Sequence, residues 1–273
     1  MEPEPEPEPL RFVFLGVSTG SSSIQRIFPA WMEALGRTDV VLQGVDLPLG
    51  ASGAEMLALV DAMRTDSHVV GGLVTSHKLS VFSACRDSFA HLSEAALQLE
   101  EVSGIYKTPE GLAGWAADPP AMAAALDRMG LHAQHWRQHA EAEVVCFGCG
   151  GAATALAYAI YGEAGDASKA LPRLRVTDVG LRRLADLERK CKRFLPRASG
   201  LVTFHRADQT DPDGWPAGPP PPHSLVVNAT GMGKVRHTHT HTHTQTHTHT
   251  HTHTLLFSPL FFHRTHSKSL CVA

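Results

Sequence analysis

The sequence has no apolar run long enough to span a bilayer and no basic block interleaved with aromatic residues. It also has no large excess of charge, with a formal net charge of −3 and 19% charged residues. These absences argue against a membrane-spanning protein and give no reason to expect nucleic acid as a partner. The remaining composition, 43% hydrophobic over 273 residues, is that of a soluble globular protein with one domain or two small ones.

Targeting signals and a disulfide framework are also missing. Residues 1–9 alternate Glu and Pro, without the basic start of a signal peptide or the Arg and Ser of a transit peptide, and are predicted to be a disordered acidic tail. The five cysteines are scattered and odd in number, which favours a reducing compartment. We therefore expect a cytoplasmic protein, with a plastid location left open. Cys146 and Cys149 have CxxC spacing but straddle a strand end, which favours ordinary thiols over a redox or metal pair.

One stretch combines an apolar run, clustered glycines and a helix-forming segment. Val144–Phe147 predicts a short buried strand, Gly148-Cys149-Gly150-Gly151 a tight turn, and the Ala-rich residues that follow a helix. Without β-carbons the turn lets the backbone approach a pyrophosphate, which the N–H groups of the first helical turn then bind. A dinucleotide site and an ordinary strand–helix turn both remain open, because a lone glycine pattern is weak and Ala153 stands at its third position.

The first half of the chain alternates predicted strands and helices. Strands are expected over 11–16, 40–45 and 69–75, with helices over 24–35, 53–64 and from 76 through 89. This alternation indicates an α/β fold with a mainly parallel sheet, whose ligands gather beyond the strand carboxyl ends. Ser22, Thr75 and Lys78 follow such ends. The alternatives to a ligand-binding role are that the serines cap a helix and that Lys78 is a solvated surface charge.

A hairpin and a third helix follow. Residues 102–107 and 112–115 predict the hairpin, and Asp118 precedes Pro119 at the entry of a helix. Asp118 either caps that helix or faces Lys78, in which case each charge favours the ionised form of the other. His132, His135 and His139 lie at helical spacing, which we interpret as a surface stripe and not a metal site.

Taken together, four blocks in order resemble the shikimate dehydrogenase family, and in particular its divergent shikimate or quinate dehydrogenase-like members. The blocks are the serine loop and helix of 16–36, Val74-Thr75-Ser76-His77-Lys78, Gly114–Asp118, and the pair 148–153 with 227–233. The resemblance implies two α/β domains with the active site in the cleft between them. It implies reversible hydride transfer between 3-dehydroshikimate and shikimate, or a quinate-like substrate, in aromatic amino acid biosynthesis.

Carried over residue by residue, the resemblance implies a set of site residues. Lys78 and Asp118 would be the catalytic pair, with Lys78 assisting proton transfer at the reacting oxygen. Ser22, Thr75 and Ser103 would contact the substrate, although Ser103 stands where the family usually has Asn. The implied cofactor-binding residues are Gly148, Gly150, Gly151, Ala152, Asp178, Asn228, Thr230 and Met232.

The cofactor expected is NAD or NADP. Asp178 ends the strand predicted over 174–178, where an acidic residue typically bonds the adenosine ribose and repels the 2′-phosphate of NADP. That position favours NAD, while Arg182 and Arg183 leave NADP open. The partner expected is a small hydroxy acid, with a homodimer left open and no metal.

The predicted domains are 10–130 for substrate binding and catalysis and 143–235 for the Rossmann-like dinucleotide-binding domain. Residues 236–273 are predicted to be a disordered, non-native tail, since the alternating His and Thr of 237–254 have no apolar face to bury. The resemblance implies further strands, helices and a substrate-contacting glutamine beyond 233. The sequence therefore leaves three hypotheses: a dehydrogenase, a non-catalytic relative that binds a nucleotide or small ligand, and a metal-binding protein that uses the His-Thr tract.

Overall fold

The computed structural model describes residues 8–162, 170–194, 199–209, 215 and 217–230, and the backbone of 253–257 and 269–272. The chain folds as two compact units that divide between Ala117 and Asp118. No helix in the described part of the chain is both long and apolar enough to cross a membrane.

The first unit is a six-stranded sheet with helices between its strands. Its elements are β1 (Leu10–Gly16), α1 (Ile24–Ala34), β2 (Val40–Asp46), α2 (Gly53–Thr65), β3 (Val69–Val74), α3 (Lys78–Cys85), β4 (Phe89–Leu92), α4 (Glu94–Leu99), β5 (Gly104–Thr108) and β6 (Gly111–Trp115). The strand order is β2-β1-β3-β5-β6-β4. Strands β1, β2 and β3 are parallel, and β5 runs antiparallel to β3 and β6. The carboxyl ends of β1, β2 and β3 therefore share one edge with the start of β5.

Alternation along β1 explains why this sheet is covered on both faces. Val13 and Leu15 pack into a core with residues of α2 and α3, whereas Phe14 joins Ile24 and Phe28 of α1 on the other face. Each fully buried aliphatic or aromatic side chain contributes about 1.5–3 kcal/mol. The predicted strands of this half and the hairpin are confirmed.

The helix predicted from 76 through 89 is shorter in the structure. Helix α3 ends at Cys85, a 3-10 turn covers Arg86–Ser88, and Phe89 begins β4. Strand β4 and helix α4 were not predicted. Ser93 starts α4 by accepting a hydrogen bond from the Ala96 N–H at 3.1 Å.

The second unit has the α/β order of a dinucleotide-binding fold. Its elements are α5 (Asp118–Arg128), α6 (Ala133–Gln138), β7 (Glu143–Phe147), α7 (Gly151–Tyr161), β8 (Arg173–Asp178), α8 (Leu181–Phe194), β9 (Val202–Arg206), β10 (Leu225–Asn228), β11 (His253–Phe257) and β12 (Ser269–Val272). The sheet is parallel throughout, in the order β12-β11-β10-β7-β8-β9. The chain order reverses between β7 and β10, which is where such sheets bind ligands. The predicted Rossmann-like architecture is confirmed.

Two boundaries differ from the predicted domain limits. Helix α5 lies in the second unit, although the first domain was predicted to reach residue 130. Within the predicted tail, 253–257 and 269–272 form β11 and β12, and these stretches are richer in Leu, Phe and Val than the His-Thr repeat. Residues 231–252 lie outside the described residues.

A buried ion pair lies toward the amino ends of the second sheet. The Arg175 guanidinium bonds to the Glu143 carboxylate and donates to the Gly218 carbonyl at 2.8 Å, and both charged side chains are 10% exposed. The Glu143 N–H donates to the hydroxyl of Ser224 at 3.0 Å. These contacts fasten the segment before β10 to β7 and β8.

Candidate functional site

Thr75 and Ser22 lie where the parallel strands of the first unit end. The hydroxyl and the N–H of Thr75 both donate to the Leu15 carbonyl, at 3.2 and 3.0 Å. Ser22 is partly buried and follows β1. The capping alternative is wrong for Ser23, which stands at the N-cap of α1 without a side-chain capping bond within the described chain. Two of the three residues predicted to contact substrate, Ser22 and Thr75, are thus at one edge of the sheet.

Lys78 is the first residue of α3, and its carbonyl accepts a hydrogen bond from the Val102 N–H at 3.1 Å. The preceding residue, His77, is 2% exposed, and its Nε2 lies 3.0 Å from the Leu47 carbonyl. Because a carbonyl only accepts, that nitrogen carries the proton. His77 therefore links the loop after β2 to the start of α3. No role was predicted for it, although it lies in the Thr75–Lys78 block.

Ser103 is fully buried and its hydroxyl is engaged inside the first unit. Its Oγ accepts a hydrogen bond from the Ala117 N–H at 2.7 Å and lies 3.5 Å from the Trp115 carbonyl. These contacts hold the chain directly after β6. Asp118, the next residue, is the first residue of α5 and partly buried. The hydroxyl predicted to contact substrate is thus used to anchor the backbone beside Asp118.

The segment Gly148–Gly151, here named the glycine turn, connects β7 to α7. Gly148 has a φ of +95°, and a Cβ there would lie 2.7 Å from the backbone carbon and oxygen of Ala229. Any other residue would be strained and would collide with the chain after β10. Gly150 is the N-cap of α7, and a Cβ there would meet nothing within 4 Å. Gly148 is thus required by the fold, whereas Gly150 faces open space.

The geometry of the glycine turn fits a cofactor pyrophosphate. Gly150 and Gly151 are exposed, and Ala152 is partly buried beside them. The N–H groups of the first turn of α7 carry the positive end of the helix dipole. A backbone without side chains at a helix N-terminus, at the point where strand order reverses, can hold an anionic group.

Asp178 ends β8 next to the glycine turn. Its Oδ2 accepts from the Cys149 N–H at 2.9 Å, and its Oδ1 accepts from the Gly180 N–H at 2.6 Å and from the Arg183 guanidinium. Burial raises the pKa of Asp178, but the bonds from Arg183, Gly180 and Cys149 outweigh it and leave the pKa below its ordinary value. Pairing with Asp178 raises the pKa of Arg183 in turn.

The remaining predicted cofactor residues lie at the end of β10 and directly after it. The Asn228 Oδ1 accepts from the N–H of Thr230 at 3.0 Å and from its hydroxyl at 2.7 Å, which forms a tight turn. Asn228 and Thr230 therefore lie against the glycine turn through Ala229. Met232 lies outside the described residues.

The CxxC pair lacks the features of a redox site. Burial raises the pKa of Cys149 to about 12 and, more strongly, that of Cys146, so both thiols stay protonated. Across the described residues, no group of three or more His, Cys, Asp or Glu is arranged to hold a metal ion. His132, His135 and His139 were predicted to form a stripe on the surface. In the structure the ring of His139 instead stacks on the ring of His223, with the two centroids 3.9 Å apart.

Comparison with known proteins finds solved structures of the same fold. No protein-family model and no curated protein sequence matches the chain. Among solved structures, it is similar to quinate dehydrogenase from Corynebacterium glutamicum in complex with NAD, at 24% identity over 81% of this chain and 71% of that one, with a TM-score of 0.62. A shikimate dehydrogenase in complex with NADP+ is similar at 19% identity, over 82% and 68%, with a TM-score of 0.62.

A third similar structure is the ligand-free 5-ketofructose reductase of a Gluconobacter species, at 18% identity over 84% and 71%, with a TM-score of 0.57. At these identities the likeness is one of fold. The predicted resemblance to shikimate dehydrogenases is therefore confirmed at the level of the fold.

Proposed function

We propose that this chain is an NAD(P)-dependent oxidoreductase of the shikimate dehydrogenase type. Its substrate is a small hydroxy acid of the shikimate or quinate class, and its reaction is reversible hydride transfer between a ring hydroxyl and the corresponding ketone. The nicotinamide ring, when bound, supplies or receives the hydride.

The observation that carries this proposal is the glycine turn. A positive φ at Gly148, a forbidden Cβ there and exposed glycines at the start of α7 form a cradle for a pyrophosphate. The cradle lies in a parallel sheet whose strand order is that of nucleotide-binding folds. A tight strand–helix turn without a ligand would not need an exposed glycine at the N-cap, where Ser, Thr, Asp and Asn are good residues.

Lys78 and Asp118 are the proposed catalytic pair. In the reducing direction the Lys78 ammonium gives its proton to the oxygen on which negative charge develops as the hydride reaches the carbon, and in the oxidising direction the amine accepts that proton. His77 supports this role, since it fixes the backbone next to Lys78 to the loop after β2. Asp118 is the proposed second member of the pair, and it directly follows Ala117, whose N–H is held by the Ser103 hydroxyl.

The proposed substrate contacts come from Ser22 and Thr75. Both lie at the strand-end edge that also carries Lys78, so hydroxyls or a carboxylate on a small ring could bond to them. Ser103 is not available in the same way, because its hydroxyl is already bonded inside the unit. The homodimer and the cytoplasmic location remain expectations.

The test is nicotinamide reduction by the full chain with shikimate or quinate, followed at 340 nm. Lys78→Ala should lower turnover by about 10²–10⁴-fold, the usual contribution of a positioned acid–base group, while nucleotide affinity is nearly unchanged. Lys192→Ala is the matched control, because Lys192 is an exposed lysine paired with Glu188 on α8. Equal turnover in wild type and Lys78→Ala would refute the assignment.

A second candidate, a non-catalytic relative that binds a nucleotide, is favoured by one observation. The Ser103 hydroxyl anchors Ala117, so a polar contact that the resemblance gives to the substrate is directed inward. Nucleotide binding by calorimetry without oxidation of shikimate, quinate or other polyhydroxy acids would support this candidate. Turnover of any of these acids that depends on Lys78 would exclude it.

A further inference from the structure

The carboxylate of Asp178 is nearly saturated by hydrogen bonds from its own chain. A carboxylate offers about four lone-pair positions. Three are occupied, by the Cys149 N–H at 2.9 Å, the Gly180 N–H at 2.6 Å and the Arg183 guanidinium. The side chain of Asp178 is 8% exposed. A ribose diol, which needs two acceptor positions for two hydroxyls, would find at most one.

One of these bonds reaches into the glycine turn itself. Cys149 is the second residue of the turn, and its N–H is held by a residue 29 positions further along the chain. The turn is fixed on its other side by the close approach of Gly148 to Ala229. Asp178 therefore sets the position of the backbone that would face a pyrophosphate.

The charge of Asp178 is compensated at the surface. Arg183 is 55% exposed and pairs with the carboxylate from α8. Its guanidinium lies against Gly180, where a Cβ would stand 2.8 Å from the guanidinium carbon, so the glycine gives the arginine room to reach Asp178. Seen from solvent, this end of β8 presents a guanidinium and not an uncompensated carboxylate.

We propose that Asp178 is a positioning residue of the glycine turn and not a ligand of the adenosine ribose, and that Arg183 neutralises it so that the site accepts NAD and NADP alike. This inference rests on the proposed nicotinamide cofactor. It reverses the expectation from the sequence, in which an acidic residue at this position repels the 2′-phosphate and favours NAD. Repulsion requires a charge that faces the phosphate, and here that charge is bonded inward.

The experiment is calorimetric titration of the full chain with NAD+ and with NADP+. The wild-type protein should bind both with dissociation constants within about fivefold of each other. The Asp178 carboxylate has two acceptor oxygens, whereas the amide in Asp178→Asn has one. Either the Cys149 N–H or the Gly180 N–H therefore loses its hydrogen-bond acceptor in this variant. The Asp178→Asn, Arg183→Gln double variant removes both charges of the pair, so both affinities should fall together by about tenfold, with their ratio unchanged.

Arg183→Gln tests whether Arg183 neutralises Asp178, separately from whether Asp178 positions the glycine turn. The carboxylate loses its counterion but keeps its bond to the Cys149 N–H, so NADP+ should weaken at least about fivefold while NAD+ changes little. Arg189→Gln is the matched control, because Arg189 pairs with Asp186 at 2.7 Å on the same helix. It should leave both affinities unaltered.

The opposite pattern would overturn the inference. If the Asp178→Asn, Arg183→Gln double variant, in which neither charge remains, selectively weakens NAD+, Asp178 binds the ribose. If wild type binds neither nucleotide, the proposed function and the cofactor half of the inference both fail. Hydrogen exchange at the Cys149 amide in the nucleotide-free protein then decides the positioning half alone: faster exchange in Asp178→Ala, which removes both acceptor oxygens, supports it, and an unchanged rate refutes it.

Discussion

The two sheets differ in where their polar anchors lie. In the first unit, Thr75, His77 and Ser103 all make their bonds where β1, β2 and β3 end and β5 begins. In the second unit, the ion pair of Arg175 and Glu143 lies toward the opposite, amino end of the strands. The edge that carries the proposed chemistry is thus built from anchored side chains in the first unit and from backbone that the Asp178 carboxylate positions in the second.

This difference matches what each edge is proposed to hold. A ring hydroxyl or carboxylate is distinguished by side chains at fixed positions, and such positions require buried anchors behind them. A pyrophosphate is bound by N–H groups of any sequence, provided that no side chain blocks the approach. The second unit can therefore place the Arg175–Glu143 ion pair away from its ligand edge, where Asp178 holds the backbone of the glycine turn.

The largest expected effect is on the amino edge of the second unit. Arg175→Met leaves the Glu143 carboxylate buried without its counterion, which should cost roughly 3–5 kcal/mol in the free energy of unfolding. Urea denaturation measures it. Adding Glu143→Gln should recover a large part of the loss, because the remaining buried charge is removed. A loss below about 1 kcal/mol in the single variant would show that this edge does not depend on the ion pair.

The glycine turn offers a pair of substitutions within one segment. Gly148→Ala forces a positive φ and a collision with the Ala229 backbone, so it should cost roughly 3 kcal/mol and abolish nucleotide binding. Gly150→Ala meets nothing within 4 Å, so it should leave stability almost unaltered while the added methyl group weakens nucleotide binding. Thermal unfolding and calorimetry measure the two properties. Equal stability of both variants would contradict this account of the turn.

Ser103 and Ser22 provide the corresponding pair in the first unit. Ser103→Ala leaves the Ala117 N–H buried without its acceptor and should cost about 1–3 kcal/mol. Ser22→Ala should change stability by less than about 0.5 kcal/mol but raise the KM for the hydroxy acid. Denaturation and steady-state kinetics together test this. If Ser22→Ala is the more destabilising variant, Ser22 is the anchor.

The smallest expected effect is a pH dependence in the second unit. Burial lowers the pKa of His135; its bond to the His223 carbonyl raises it, and the charges of His139, His223 and His132 lower it. Its pKa is therefore below that of the unfolded chain, which is about 6.5. As the pH falls through that value the unfolded state binds the proton more readily, so stability present at higher pH is lost.

His135→Gln keeps an N–H donor for the His223 carbonyl and removes the titrating ring. The free energy of unfolding should fall between pH 7.5 and 5.5 more steeply in wild type than in this variant. Urea denaturation at each pH measures the two slopes, and identical slopes would exclude a contribution from His135.

Local patterns were sufficient to predict much of the fold. The apolar run before the glycine turn and the Ala-rich segment after it fixed β7 and α7, because neighbouring residues alone determine that junction. Most strands of the first half were found for the same reason. Strand β4 was missed because it has four residues and pairs only with β6, so no local alternation marks it.

The roles of individual polar residues were harder to predict than their places. Asp178 and Arg183 were both singled out, but their pairing depends on how α8 packs after β8 and on the missing side chain of Gly180. Ser103 was placed next to the substrate, yet its hydroxyl is engaged by an N–H that only the β5–β6 hairpin brings near. Such contacts depend on tertiary packing.

The buried cysteines give the folded protein a property useful at the bench. Four cysteines in the described part of the chain are buried, and burial raises the pKa of Cys85 to about 11 and that of Cys149 and Cys191 to about 12. A thiol with a pKa of about 12 is ionised in only ~1 molecule in 10⁴ at pH 8, so alkylating reagents should react with it slowly. Each opening of the fold exposes thiols of ordinary reactivity. The rate at which a maleimide labels these thiols therefore reports the rate of unfolding, without an introduced probe.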